Sequence, residues 1–267
     1  MIISQISAAF YNTKLLIKEN KFFFSALLLI QLVFMLVFLA VLSSFVVQIM
    51  DNANQITAQV ETVGVNSETG EISLNDASGI YEGYNLLKDS LIQMTNWLIF
   101  LYLLFQGGLW VGTHKLINNK SGILKPWIKQ ALSSVLFWGI FFIISYYYLK
   151  YKLLLGSESL YLLGIKMSLA LIVLHFFLGI SFGLININSW KTFLSKFFNL
   201  SCKKIGQTLP VFLTLVLGII LNIYLIYITR EILILSILFI ISLNLLLILC
   251  RIFWINYLQK INDLNTN

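Results

Sequence analysis

The chain has 267 residues, of which 59% are apolar and only 11% charged, with mean hydropathy +0.88 and a net charge of +7. A soluble domain carries roughly 25% charged residues, so this composition excludes a water-soluble fold of this size. Two cysteines, Cys202 and Cys250, exclude a disulfide framework and offer no metal-ligand spacing, so they read as free thiols.

Long apolar runs set the class, because about 18 or more apolar residues can cross a bilayer as a helix. Six runs qualify in chain order: Phe22–Met50, Leu91–Gly112, Ala131–Leu149, Leu160–Ile185, Thr208–Thr229 and Ile232–Leu258. None alternates apolar and polar residues as a barrel strand would. The first has too long a core, and no small-x-small site after it, for a cleaved signal peptide. The expected fold is therefore all-α: a single polytopic domain of six transmembrane helices with interfacial amphipathic helices.

The first run is preceded by ISAAFYNTKLLIKENK, where Ile6, Phe10 and Ile17, with Ile3 just before it, make a weak apolar stripe. It is followed by an island with seven carboxylates from Asp51 to Asp89 and one basic residue, Lys88. Residues 51–90 read as a loop between spans one and two. Val60–Val65 and Glu71–Leu74, flanking Asn66–Gly70, suggest a small β-hairpin. The alternative is that the first helix continues past Met50 as a stalk. The acids are expected to keep a translocated loop soluble, and a cation or a partner protein is the other reading.

In the second span, Gly107, Gly108 and Gly112 suggest close packing or a kink. The next basic stretch, HKLINNKSGILKPWIK, contains Gly122 and Pro126 and should be broken. Tyr146, Tyr147, Tyr148 and Tyr151 read as an aromatic belt at the end of span three.

Span four carries the only candidate chemistry. Gly179-Ile-Ser-Phe-Gly183 matches G-x-S-x-G, but a nucleophile elbow needs a strand-turn-helix, and here the match lies inside an apolar helix. The same residues read G-x-x-x-G, a spacing that lets helices approach. Gly179 and Gly183 are expected to pack, and Ser181 is not expected to be a nucleophile. His114 is expected to lie at a different depth from Ser181. His175 and Lys166 are candidates for a proton or ion path; Lys166 can instead snorkel to the interface, and His175 can bond a neighbouring helix. No Asp or Glu lies deep in any run, which argues against a carboxylate-based transporter.

Residues 186–207 form a third basic segment. Trp190, Phe193, Leu194, Phe197 and Phe198 recur at helical spacing, with Lys191 and Lys196 off the stripe. This pattern predicts a helix lying in the membrane interface. Trp254 and Tyr257, near Arg251, read as a second aromatic belt.

Basic residues set the orientation. With the N-terminus inside, inner segments hold thirteen Lys and Arg and outer segments five, while nine of the eleven acids fall outside. Both termini are thus expected in the cytoplasm of a cell-membrane protein, with the acidic island outside. The basic inner face would attract anionic lipid head groups; nucleic acid is not expected, because the charges are spread over separate loops.

Three stretches, IKENKFFFSALLLIQ, FQGGLWVGTHKLINNK and SWKTFLSKFFNL, each join a basic segment to a hairpin. In this the chain resembles uncharacterised archaeal and bacterial six-helix membrane protein families. The resemblance implies short outer loops, from which the acidic island departs, and brings no active-site motif. No P-loop, dinucleotide fingerprint, zinc site or carboxylate pair is legible, so no cofactor is expected. The leading expectation is a non-enzymatic structural or accessory protein that assembles with other membrane components or with itself. The alternatives are a permease subunit docked to a cytoplasmic ATPase and, third, an intramembrane enzyme.

Overall fold

The computed structural model describes residues 2–66, 74–118, 122–155 and 160–263. Every regular element among them is helical: α1 (Ile2–Glu19), α2 (Lys21–Asn66), α3 (Leu74–Leu101), α4 (Gly107–Ile117), α5 (Leu124–Leu155), α6 (Leu160–Gly183), α7 (Trp190–Phe198), α8 (Ile205–Ile228) and α9 (Leu233–Asp263). Two five-residue π-helical turns, Tyr102–Gln106 and Asn199–Lys203, link α3 to α4 and follow α7. Six stretches are long and apolar enough to cross a membrane: Lys21–Glu61, Ser78–Ile117, Leu124–Tyr148, Gly164–Gly183, Ile205–Ile228 and Leu233–Asn262. The chain is an all-α, multi-pass membrane protein.

The chain divides into two compact units: residues 1–31 with 107–267, and residues 32–106. The smaller unit is built on α2 and α3. α2 has 46 residues, which at 1.5 Å per residue is about 69 Å long. That is roughly twice the ~30 Å hydrocarbon layer. Beyond Met50 it continues as helix through Asp51–Asn66 and faces the first turns of α3. An Ile56 side-chain carbon lies 2.8 Å from where a Cβ on Gly83 would stand, and Gln59 lies against Gly79. Asn52 Nδ2 donates to Ser90 Oγ at 3.1 Å. Glycine on one helix thus admits the other. Farther along, the Phe34 and Phe105 rings meet at a tilt of 32°, with centroids 5.2 Å apart.

This corrects the expected β-hairpin. Val60–Asn66 is helical and Leu74 opens α3, while the rest of the expected turn and second strand, 67–73, lies outside the described residues. The β-branched residues here extend a helix already nucleated by the apolar run before it, and elongation is far cheaper than nucleation.

In the larger unit, α4, α5, α6 and α9 pack together, with α1 and α8 against α9. The core is a run of aliphatic and aromatic side chains from α6 (Leu174, Phe176, Leu178, Ile180 and Phe182) and α9 (Trp254, Ile255, Tyr257, Leu258 and Ile261). Trp254 and Tyr257 are therefore core residues rather than a belt. On the outward faces, apolar side chains stay exposed, as a lipid-facing surface requires; Leu217 and Leu233 are 70% and 73% accessible. Tyr146 and Tyr147 are exposed, as a belt would be. A turn at 229–232 joins the antiparallel α8 and α9, closed by Ile232 N–H to Thr229 O at 2.9 Å. Pro126 sits in the first turn of α5, where its missing N–H costs nothing.

Candidate functional site

The second span's glycines set up one end of the larger unit. A Cβ on Gly107 would collide with the Trp127 indole on α5, and one on Gly112 would stand 2.7 Å from Leu27 Cδ2 on α2. Their absence lets α4 approach both helices. It also carries His114 toward the C-terminus of α6.

A helix C-terminus leaves its last carbonyls without intrahelical partners, and buried carbonyls need donors. At the end of α6 the donors come from three other helices. Trp254 Nε1 on α9 reaches Gly179 O at 2.8 Å. His114 Nε2 on α4 lies 2.7 Å from Phe182 O. Lys129 Nζ on α5 donates to Ile187 O and, at 3.3 Å, to Asn188 O, just past the helix end. Lys129 also lies over the Trp190 ring, 5.3 Å from its centroid. A second lysine does the same for α9: Lys204 Nζ donates to Ile261 O at 2.6 Å. Burial lowers the pKa of Lys204 below the ordinary lysine value. Cations at helix C-termini also complement the macrodipole.

Between these caps runs a buried polar layer. Arg251 on α9 is 7% exposed. Its Nη2 donates to Gln31 Oε1 at 2.6 Å, and its guanidinium lies 6.0 Å from the Trp110 ring centroid. Ser181 Oγ donates to Ser133 Oγ at 2.8 Å. Gln130 Nε2 donates to Ser134 Oγ at 3.1 Å, and Asn256 Nδ2 to Thr13 Oγ1 at 3.0 Å. Three helix pairs are thereby tied by side chains, α9 to α2, α6 to α5 and α9 to α1, while the Gln130 bond stays within α5.

At the same end a cleft of about 270 Å³ is lined by His114, Gly183, Leu184, Asn186, Ile187, Lys196, Leu258, Gln259 and Asn262. Because His114 Nε2 faces a carbonyl oxygen, it carries the hydrogen, and Nδ1 of the neutral ring is an acceptor. Nδ1 is buried with no donor, and so is Asn186 Oδ1. Among the described residues, no cluster of His, Cys, Asp and Glu could hold a metal ion.

The residues singled out from sequence are distributed as follows. Gly179 and Gly183 face α9, where a Cβ on Gly183 would collide with Leu258 Cδ1 and one on Gly179 would stand 3.4 Å from Trp254 Nε1. This is the close approach that their spacing predicts. Ser181 is spent on Ser133. His114 stands at the depth of Phe182, beside Ser181 in sequence, rather than at a different depth, but its Nε2 is given to a carbonyl. His175 lies on an exposed face, bonds the Leu171 carbonyl of its own helix at 2.8 Å and meets the Trp138 ring edge-on. Among the described residues it makes no hydrogen bond to a neighbouring helix. Lys166 is exposed near the other end of α6. Neither is brought to the cleft.

The segment 186–207 differs most from expectation. α7 is amphipathic, but its Phe193 and Phe197 are 4% and 8% exposed and pack into the protein core. Phe197 lies 5.8 Å from Phe137 and 6.1 Å from Phe177. Trp190, Leu194 and Phe198 remain exposed. Only part of the stripe is thus available to lipid. The reverse holds for α1, which turns Gln5, Ala9 and Thr13 inward and leaves Ile3 and Phe10 exposed. α1 thus keeps part of its apolar stripe, Ile3 and Phe10, facing out, while Ile6 packs against the core.

Sequence reasoning missed Lys129, Lys204, Gln130, Ser133 and Asn186. The available signal was polar residues inside or just beyond apolar runs, near the segment ends where carbonyls need donors. Comparison with protein-family models, with curated proteins and with solved structures returned no match.

Proposed function

We propose that this chain is a non-enzymatic accessory component of a membrane assembly, anchored by its six spans. Both termini and the basic segments lie in the cytoplasm, and the paired ends of α2 and α3 stand outside as a docking arm. The observation carrying this reading is the helical continuation beyond the apolar runs. From Asp51 to Asn66 the helix adds sixteen residues, about 24 Å of reach. A solubilising loop needs no such order. The arm exposes Asp51, Glu61, Glu82 and Asp89 together with Tyr81 and Tyr84, which are 68% and 57% accessible. Tyrosine is enriched at protein-binding surfaces, and charge collects at their rims.

The experiment compares the full chain with a variant in which residues 55–84 are replaced by a short Gly-Ser linker, both extracted from native membranes in mild detergent. The full chain is expected to migrate in a complex larger than itself, and the armless variant to insert but migrate alone. A complex that survives removal of the arm, or a full chain that migrates alone, would contradict the reading.

A further inference from the structure

We propose that the cleft at the end of α4, α6 and α9 binds a phosphorylated polyol head group. This assigns a ligand to the larger unit and is independent of the arm. His114 is 2% exposed, and its one remaining polar atom, Nδ1, is an acceptor with no donor. Asn186 Oδ1 is a second buried acceptor with none. A buried acceptor without a donor costs free energy, so both call for a ligand that brings hydrogen. Hydroxyl groups supply it. An ammonium is disfavoured, because Lys196 lines the cleft and no carboxylate does.

Lys196 in turn calls for an anion. Gln259 and Asn262 add amide groups that can donate to phosphate oxygens and accept from hydroxyls. An apolar guest would strand all of these groups. The volume, about 270 Å³, lies below the roughly 300–1,000 Å³ range of drug-sized sites and suits a head group. Its chemistry is shared by phosphatidylglycerol in a bilayer and by glycerol phosphate in water. General attraction of basic loops for anionic lipid needs no cleft; this site demands hydroxyls as well as charge.

The test follows thermal unfolding of the purified full chain titrated with phosphatidylglycerol in mixed micelles, phosphatidylcholine in mixed micelles, or sn-glycerol 3-phosphate. A saturable rise in Tm is expected with phosphatidylglycerol and none with phosphatidylcholine. Lys196→Gln and Asn186→Ala should each weaken the response about tenfold, the scale of one charge-assisted or buried hydrogen bond. Lys191→Gln, on an exposed lysine away from the cleft, should leave it unchanged. If glycerol phosphate gives the same Lys196-dependent rise, the site takes a soluble ligand; if only phosphatidylglycerol does, it takes a lipid. Both outcomes uphold the site. No saturable rise with either probe, or equal weakening by Lys191→Gln and Lys196→Gln, would overturn it. Lys196 is only half-buried, so its variant keeps the test valid should Asn186→Ala fold poorly.

Discussion

Gly183→Leu will lower the melting temperature of the detergent-solubilised protein by about 5 °C or more. Even a single Cβ at this position strikes Leu258 Cδ1, and Trp254 Cδ1 lies 3.9 Å away. Leu258 is 1% and Trp254 3% exposed, so neither has room to withdraw. The larger side chain must push α6 from α9. That movement would stretch the Trp254 bond to Gly179 O and unseat the carbonyls at the end of α6. Overpacking a filled core costs about 1–3 kcal/mol before such bonds are lost. Ser181→Ala removes one hydroxyl bond to Ser133 and should cost about 1 kcal/mol. Thermal unfolding of the two variants side by side checks the order. Equal stability of Gly183→Leu and wild type would show that α6 and α9 do not meet at this glycine.

Gln31→Leu carries the second large effect, a loss of about 2 kcal/mol. The Gln31 side chain is fully buried and accepts from the Arg251 guanidinium. Leucine keeps the volume but leaves a buried cation without that acceptor, and hydrogen bonds to charged groups are worth about 1.5–3 kcal/mol. Arg251→Met in the same chain should recover much of the loss, because an apolar pair replaces a polar one in a dry site. Chemical denaturation of the single and double variants measures this coupling. A double variant less stable than Gln31→Leu alone would show that Arg251 contributes by something other than this bond.

Much of the fold follows from one-dimensional signals. Twenty or so predominantly apolar residues have few alternatives to a spanning helix, so all six runs became helices, with bounds shifted mainly at polar ends. The glycine pair at Gly179 and Gly183 was legible because backbone approach depends on a small residue at a fixed spacing. The arm was less legible. Its polar, β-branched residues have weak preferences of their own, and helix propagation from α2 decided the outcome. Part of the apolar face of α7 was misassigned for a different reason. An apolar stripe looks the same whether protein or lipid covers it, and only tertiary packing distinguishes Phe193 from Phe10. Trp254 and Tyr257 were placed at an interface for the same reason. The cleft was hidden because its residues come from four separated segments, and none has a motif around it.

Side-specific thiol labelling tests the proposed topology most directly, with the acidic segment outside and the basic segments in the cytoplasm. Cys202 is a native exposed thiol beside Lys203 and Lys204. Glu61→Cys places a second on the exposed surface of the arm. In intact cells, an impermeant maleimide should label the thiol introduced at position 61 and leave Cys202 unlabelled until the membrane is permeabilised. Labelling of both from the outside, or of Cys202 alone, would contradict the account.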